Sequence, residues 1–196
     1  MISATEVTGT VTAYLDRYPD ERSRLAPLLA ALEQPADLTA RHTVPGHLTC
    51  SALLVDPRRR VLHIRHATLG RWLPPGGHLE PADDGLRTAA LREVAEETGI
   101  PAEVPVSLGD LPLNLDVHRI PANPARNEPA HWHFDACFAF ALPGPVVLTA
   151  QPGEVTGFRW RPIRRLRPAT VRAKLLAAPG LPARGVKRGP FLYRKR

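Results

Sequence analysis

Arg92-Glu93-Val94-Ala95-Glu96-Glu97-Thr98-Gly99-Ile100 is the stretch on which the fold turns. Three glutamates fall within five residues, at the end of a segment with the composition of a short helix. An α-helix has 3.6 residues per turn, so positions i, i+3 and i+4 share a face. The spacing therefore predicts that Glu93, Glu96 and Glu97 point the same way. Carboxylates that close repel one another unless a cation sits among them. Hard oxygen donors suit Mg²⁺, with Mn²⁺ as a substitute, and Mg²⁺ is commonly shared with substrate phosphates.

Working outward, Leu73-Pro74-Pro75-Gly76-Gly77-His78-Leu79-Glu80-Pro81-Ala82-Asp83-Asp84-Gly85 precedes the helix. Two prolines stiffen the turn, and the glycine pair lets backbone approach a ligand. A Gly76 carbonyl there can complete a metal shell. Asp83 or Asp84 is the expected N-cap, and Gly99 the stop. Leu91, Val94, Ala95 and Thr98 are expected to pack on a sheet, with Leu86, Ala89 and Ala90 along the glutamate side. Arg92, at the margin of that side, is placed to brace a glutamate by a charge-assisted hydrogen bond. A bland reading, a solvated Glu-rich face, accounts neither for three acids without interleaved lysine nor for the Gly-Gly turn.

Gly77 to Ile100 resembles the signature box of the Nudix hydrolases, G-x5-E-x7-R-E-U-x-E-E-x-G-U with U aliphatic. Arg92, Glu93, Val94, Glu96, Glu97, Gly99 and Ile100 match its second half. The first half departs twice. One residue is inserted between Gly77 and Arg92, and aspartate replaces the first glutamate. That acid is Asp83 counting forward from Gly77, and Asp84 counting back from Arg92.

The chain has 196 residues, enough for a substantial core, and 43% of them are hydrophobic, ordinary for a globular protein. No apolar run reaches membrane-spanning length, and no basic segment leads an apolar stretch at the N-terminus, so the expected location is the cytoplasm. Cys50 and Cys137 lie in strand-like apolar runs and read as buried free thiols. The net charge of +7 is uneven. Residues 1–156 hold 13 Lys/Arg against 19 Asp/Glu, a balance of −6, while residues 157–196 hold 13 Lys/Arg and no acid. Such a block can meet nucleic acid or phosphate, but for Lys187 to Arg196 a solvated basic tail is the favoured reading.

Residues 1–40 read as a helical extension. Val7, Val11, Tyr14, Leu15 and Tyr18 recur at helical spacing, and Asp20 is placed to cap a second helix carrying Leu25, Leu28, Leu29 and Leu32. It covers the sheet, lids the site or forms a homodimer contact, and the sequence does not choose. Strands are expected over 47–56 and 60–66, joined by the hairpin signal Pro57-Arg58-Arg59, then over 104–111, 113–120, 132–142 and 155–161. A last helix follows from Ala169 to Ala178. Strands around a central helix predict an α/β fold, a mixed sheet between helices. The resemblance implies the same, a Nudix-like α/β/α sandwich. The units are then an extension over 1–40, a domain over 41–182 and a basic tail over 183–196.

Secondary candidates lie outside the box. His131, His133 and Asp135 alternate with Trp132 and Phe134, so they share one strand face, a set able to bind a metal, to donate to phosphate or to be satisfied by strand neighbours, and they are candidates for lining a pocket. Trp72 either stacks on a base or caps the core, Gly77 approaches substrate by its backbone, and His78 reads as an exposed loop histidine. Nudix enzymes often draw a further acid from a loop outside the box. Glu128 is the first candidate for that role and Asp135 the second.

The resemblance implies Mg²⁺-dependent hydrolysis of a diphosphate linkage in a nucleoside diphosphate derivative or a related phosphorylated metabolite. Glu93, Glu96, Glu97 and the Gly76 carbonyl would be ligands, with Arg92 in support. Isoprenyl diphosphate isomerase chemistry is a competing reading that His131 and His133 keep open and the intact box weighs against. A nucleotide sensor or RNA-binding module without catalysis is a third.

Overall fold

The computed structural model describes residues 1–183 and the backbone of Leu192 and Tyr193. The basic tail expected beyond residue 183 otherwise lies outside the described residues. The first element is α1, Ala4–Arg17, capped by Ser3, whose hydroxyl accepts from the Glu6 N–H. A 3₁₀ turn over Pro19–Leu25 leads into α2, Ala26–Leu32. Asp20 caps neither, because the turn starts at Pro19 with no side-chain cap and α2 grows directly out of it.

The sheet consists of β1 Gly46–Val55, β2 Arg60–His66, β3 Trp72–Leu73, β4 Gly76–His78, β5 Val106–Ser107, β6 Asn114–Ile120, β7 His131–Ala141 and β9 Val155–Pro162. A two-residue β8, Val147–Leu148, stands outside it and pairs with Leu192 and Tyr193. Helices α3, Leu86–Thr98, and α4, Ala169–Ala177, complete the fold. β1 and β7 run parallel at the centre, paired from Gly46↔Trp132 to Val55↔Ala141, and the remaining pairs of the sheet are antiparallel. The result is the mixed α/β sandwich expected.

Each layer follows from the pattern of β1. Leu48, Cys50, Ala52 and Leu54 face one way and join Ala89, Ala90 and Val94 of α3 with Val7, Val11, Tyr14, Leu15, Leu25 and Leu28 of the N-terminal helices. Leu53 and Val55 face the other way, toward Ile163, Val171 and Leu175. A strand covered on both faces reads as an almost unbroken apolar run, and β1 does. Burying large side chains is worth about 1.5–3 kcal/mol each. The N-terminal helices are therefore part of the core that covers the sheet. Their polar edge is tied down as well: Lys174 of α4 meets the Glu21 carboxylate at 2.6 Å, and Arg24 donates to the Leu115 carbonyl at 2.6 Å.

Other details depart from the sequence pattern. The Gly-Gly segment is a strand, not a free turn, and the apolar stretch 104–111 yields a strand of two residues, Val106–Ser107, after which the Leu108 N–H donates to the Ala139 carbonyl. Cys50 and Cys137 are free and buried, on opposite faces of neighbouring strands because Ser51, not Cys50, is opposite Cys137.

Candidate functional site

Helix α3 begins at Gly85, in extended conformation with no side-chain cap. Asp83 and Asp84 are both taken elsewhere. Asp84 accepts from the Thr88 hydroxyl, while Asp83 accepts from the Glu80 N–H at 2.7 Å and from Arg92 Nε at 3.0 Å. Asp83 is buried and Asp84 exposed, so it is Asp83 that meets the box arginine. At the far end Gly99 takes the left-handed conformation, φ 70°, which ends the helix as expected.

The faces of α3 differ from the expectation. Leu86, Ala89, Ala90, Glu93, Val94, Glu97 and Thr98 are buried, while Leu91 and Ala95 are half-buried. Burial follows the i, i+4 pair Glu93 and Glu97, which turns inward beneath β4 together with the apolar residues. Glu96 stays at the rim with its side chain 41% exposed.

The glycine pair makes this close fit possible. Gly76 donates its N–H to Glu97 Oε2 at 2.8 Å. A Cβ on Gly77 would lie 2.5 Å from Glu93 Oε1, and one on Gly76 would overlap the β1 backbone at Cys50 and Ser51. Arg92 ties the site together. Its Nη1 donates to Glu96 at 3.0 Å and Glu93 at 3.2 Å, and its Nη2 donates to the His78 carbonyl at 2.9 Å.

Burial sets the electrostatics. It raises Glu93 to about 7 against the pull of Arg92, and Glu97 to about 8 against the Gly76 N–H. Repulsion within the cluster adds to both shifts. Glu154, in the turn before β9, belongs to that repulsion and was not a sequence candidate. It lies more than fifty residues from the box, and nothing local marks it. The donors are hard oxygens with more negative charge than Arg92 offsets, a set that fits a small divalent cation.

Neither acid expected from outside the box lies among these groups. Glu128 faces Arg41 at 3.8 Å, held by the Asn123↔Glu128 bridge in the loop before β7. Asp135 is buried and accepts from Ser51 Oγ at 2.6 Å and Thr49 Oγ1 at 3.1 Å. Burial raises its carboxyl above the usual range. Trp72 lies under the Arg159 guanidinium, 4.4 Å from the ring centroid.

His131, His133 and Asp135 do share a face, and strand register extends it. His47 is opposite His133 on β1, and His118 is opposite it on β6. His78 of β4, opposite Thr49, joins them and is half-buried, not an exposed loop residue. Burial and the neighbouring rings lower His133 to about 3, while burial and Arg41 lower His78 to about 4, so both are neutral near pH 7. His118 is held up by its bond to Asp116 at 3.0 Å. The sequence reading missed His47, His118 and Asp116, which come from strands far apart in the chain.

Residues 45–178 match the model of the NUDIX domain. Over 78 residues the chain is 40% identical to a MutT-like protein of Streptomyces ambofaciens, an overlap of 39% of this chain and 48% of that protein. The chain thus spans about half the length of that relative. Among solved structures it is similar to the E. coli dihydroneopterin triphosphate pyrophosphohydrolase, with a TM-score of 0.51, 17% identity and coverage of 65% of this chain and 90% of the other. A C. elegans Ap4A hydrolase in a binary complex gives a TM-score of 0.48 at 16% identity, covering 66% and 95%. At these identities the likeness to solved structures is one of fold. The family match, however, runs from just before β1 to just past α4 and takes in the whole glutamate helix, so this chain belongs to the NUDIX domain family.

Proposed function

We propose that the protein hydrolyses a diphosphate linkage in a nucleoside diphosphate derivative or a related phosphorylated metabolite, with Mg²⁺ as its cation and Mn²⁺ as a substitute. The observation that carries this is the buried pair Glu93 and Glu97, packed against the Gly76–Gly77 backbone and crossed by Arg92. Glu93, Glu96, Glu97 and the Gly76 carbonyl would hold the cation, which supplies charge neutralisation at the diphosphate and acidifies a bound water. Glu97 is the group we assign to take the proton as water oxygen bonds to phosphorus and the bridging P–O bond breaks. Arg92 keeps Glu93 and Glu96 in position and stays charged, because its bonds to Asp83 and the glutamates outweigh the cost of burying it. Glu154 is the acid from outside the box best placed to assist. Most of the rate in such chemistry comes from positioning and charge stabilisation.

The test is Glu97→Gln assayed on a panel of nucleotide sugars, dinucleoside polyphosphates, nucleoside triphosphates, capped RNA and prenyl diphosphates. Turnover that needs Mg²⁺, is stopped by EDTA and drops on the order of 10²–10⁴-fold in the variant is expected. Wild-type turnover in a correctly folded Glu97→Gln protein would overturn the assignment.

A further inference from the structure

Imidazoles crowd the sheet face that looks away from α3. Ring centroids lie 4.8 Å apart for His47 and His133, and 5.2 Å apart for both His47–His78 and His78–His133. His131 adjoins them, 5.0 Å from His47 and 5.1 Å from His133. Each of the first three can direct one ring nitrogen so that all three nitrogens lie within 4.8 Å of one another. They come from β1, β4 and β7, so the cluster is made by the sheet and held by its hydrogen bonds.

Hydrogen bonds at one ring nitrogen fix which way the other points. His47 is 2% exposed, and its Nδ1 faces the Thr43 carbonyl at 3.4 Å. A carbonyl only accepts, so Nδ1 carries the proton and Nε2 presents a lone pair. That Nε2 is buried without a hydrogen-bond partner. Native interiors rarely leave such an atom unmatched. His131 likewise donates from Nδ1 to the Pro129 carbonyl at 2.8 Å, and its Nε2 accepts a hydrogen bond from His133 Nε2 at 3.2 Å. A ring that donates one N–H to a backbone carbonyl and offers its other nitrogen inward has the orientation of a metal-ligating histidine.

We propose that His47, His78 and His133 form a binding site for one divalent transition-metal ion of the zinc class, flanked by His131. Three imidazoles suit zinc, cobalt or nickel and suit Mg²⁺ poorly, so this site and the carboxylate site select different ions. Arg41, whose charge acts on His47 and His78, is paired with Glu128. The ion would bind β1, β4 and β7 together at His78, whose carbonyl Arg92 holds from the other side. The proposal stands independently of diphosphate hydrolysis.

Cobalt is the probe, since a nitrogen-ligated low-coordinate Co²⁺ absorbs visibly. Full-length protein stripped with EDTA and returned to excess Mg²⁺ is titrated with Co²⁺, then with Zn²⁺. One Co²⁺ per chain, displaced by Zn²⁺, is expected, with affinity at least tenfold weaker in His78→Ala and in His133→Ala and unchanged in Glu93→Gln/Glu97→Gln. Absence of stoichiometric binding overturns the site, as does its loss in the glutamate variant alone. Should a histidine variant fail to fold, histidine-ring NMR signals of the wild type decide. Three rings shifting with one equivalent of Zn²⁺ support the site, and unshifted rings overturn it.

Discussion

Gly77 and His78 are neighbours in sequence and belong to different chemistry. On the α3 side of β4 the absent Cβ of Gly77 makes room for Glu93, in a nest of carboxylates. On the other side His78 enters a group of imidazoles. One region gathers hard, anionic oxygen and the other borderline, neutral nitrogen, a single peptide apart. The difference teaches how each is made. The carboxylate region is mainly local, one helix with one strand above it, joined from a distance by Glu154. The imidazole region exists only because register brings three separate strands into line.

The largest effect should come from breaking the carboxylate side. Beyond Glu97→Gln, Gly77→Ala puts a methyl group into the Glu93 carboxylate. Displacement of catalytic groups by an ångström can cost on the order of 10²-fold, and we expect a loss of that size in kcat/KM on the substrate the panel identifies. Zinc-class binding by the histidines should persist in this variant. Equal loss of both would show that the two regions are one site.

Next comes pH. The unfolded chain releases the Glu93 and Glu97 protons near 4.5, while the metal-free folded protein holds them to about 7 and 8. Between those values the folded state binds more protons, so stability falls as pH rises. His47, His78 and His133 have lowered values and oppose this only below their ordinary 6.5. Calorimetry of EDTA-treated protein should therefore show Tm declining from pH 6.5 to 8.5. Mg²⁺ should flatten the decline, and Glu93→Gln/Glu97→Gln should remove most of it. A Tm that rises over this window contradicts the buried, unbalanced carboxylates.

The smallest effect on either region should come from Lys174→Met. Lys174 is nearly buried against Glu21 and donates to Tyr14. Glu21 keeps Arg24 and Tyr14, so the loss should be about 1–3 kcal/mol. That corresponds to a drop in Tm on the order of 2–4 °C per kcal/mol for a chain of this size. Responses to Mg²⁺ and Co²⁺ should both remain.

How far the sequence could be read follows the same division. The glutamate helix and its Gly99 stop are written in consecutive residues, and β1, β2, β6, β7 and β9 carry enough apolar pattern to be seen. The inward turn of Glu93 and Glu97 was not legible, because periodicity defines a face without saying what lies over it. Asp83 could not be told from Asp84 by counting, since only a folded loop reveals which carboxylate reaches Arg92. His78 read as a lone loop residue because its partners lie at positions 47 and 133. Glu154 had no local signal at all. Glu128 was an attractive loop acid that an exposed arginine had already engaged.

One consequence of the long parallel pairing of β1 with β7 concerns chain length. Along ten consecutive positions, each side chain's destination depends on whether its number is odd or even relative to its neighbour. A single residue added inside β7 would send every following side chain to the opposite layer, burying Asp135 among leucines and offering Phe134 to the histidines. Two added residues would restore the order. The segment between β6 and β7 has no such parity to keep, so its length can change and leave the chemistry of both faces untouched.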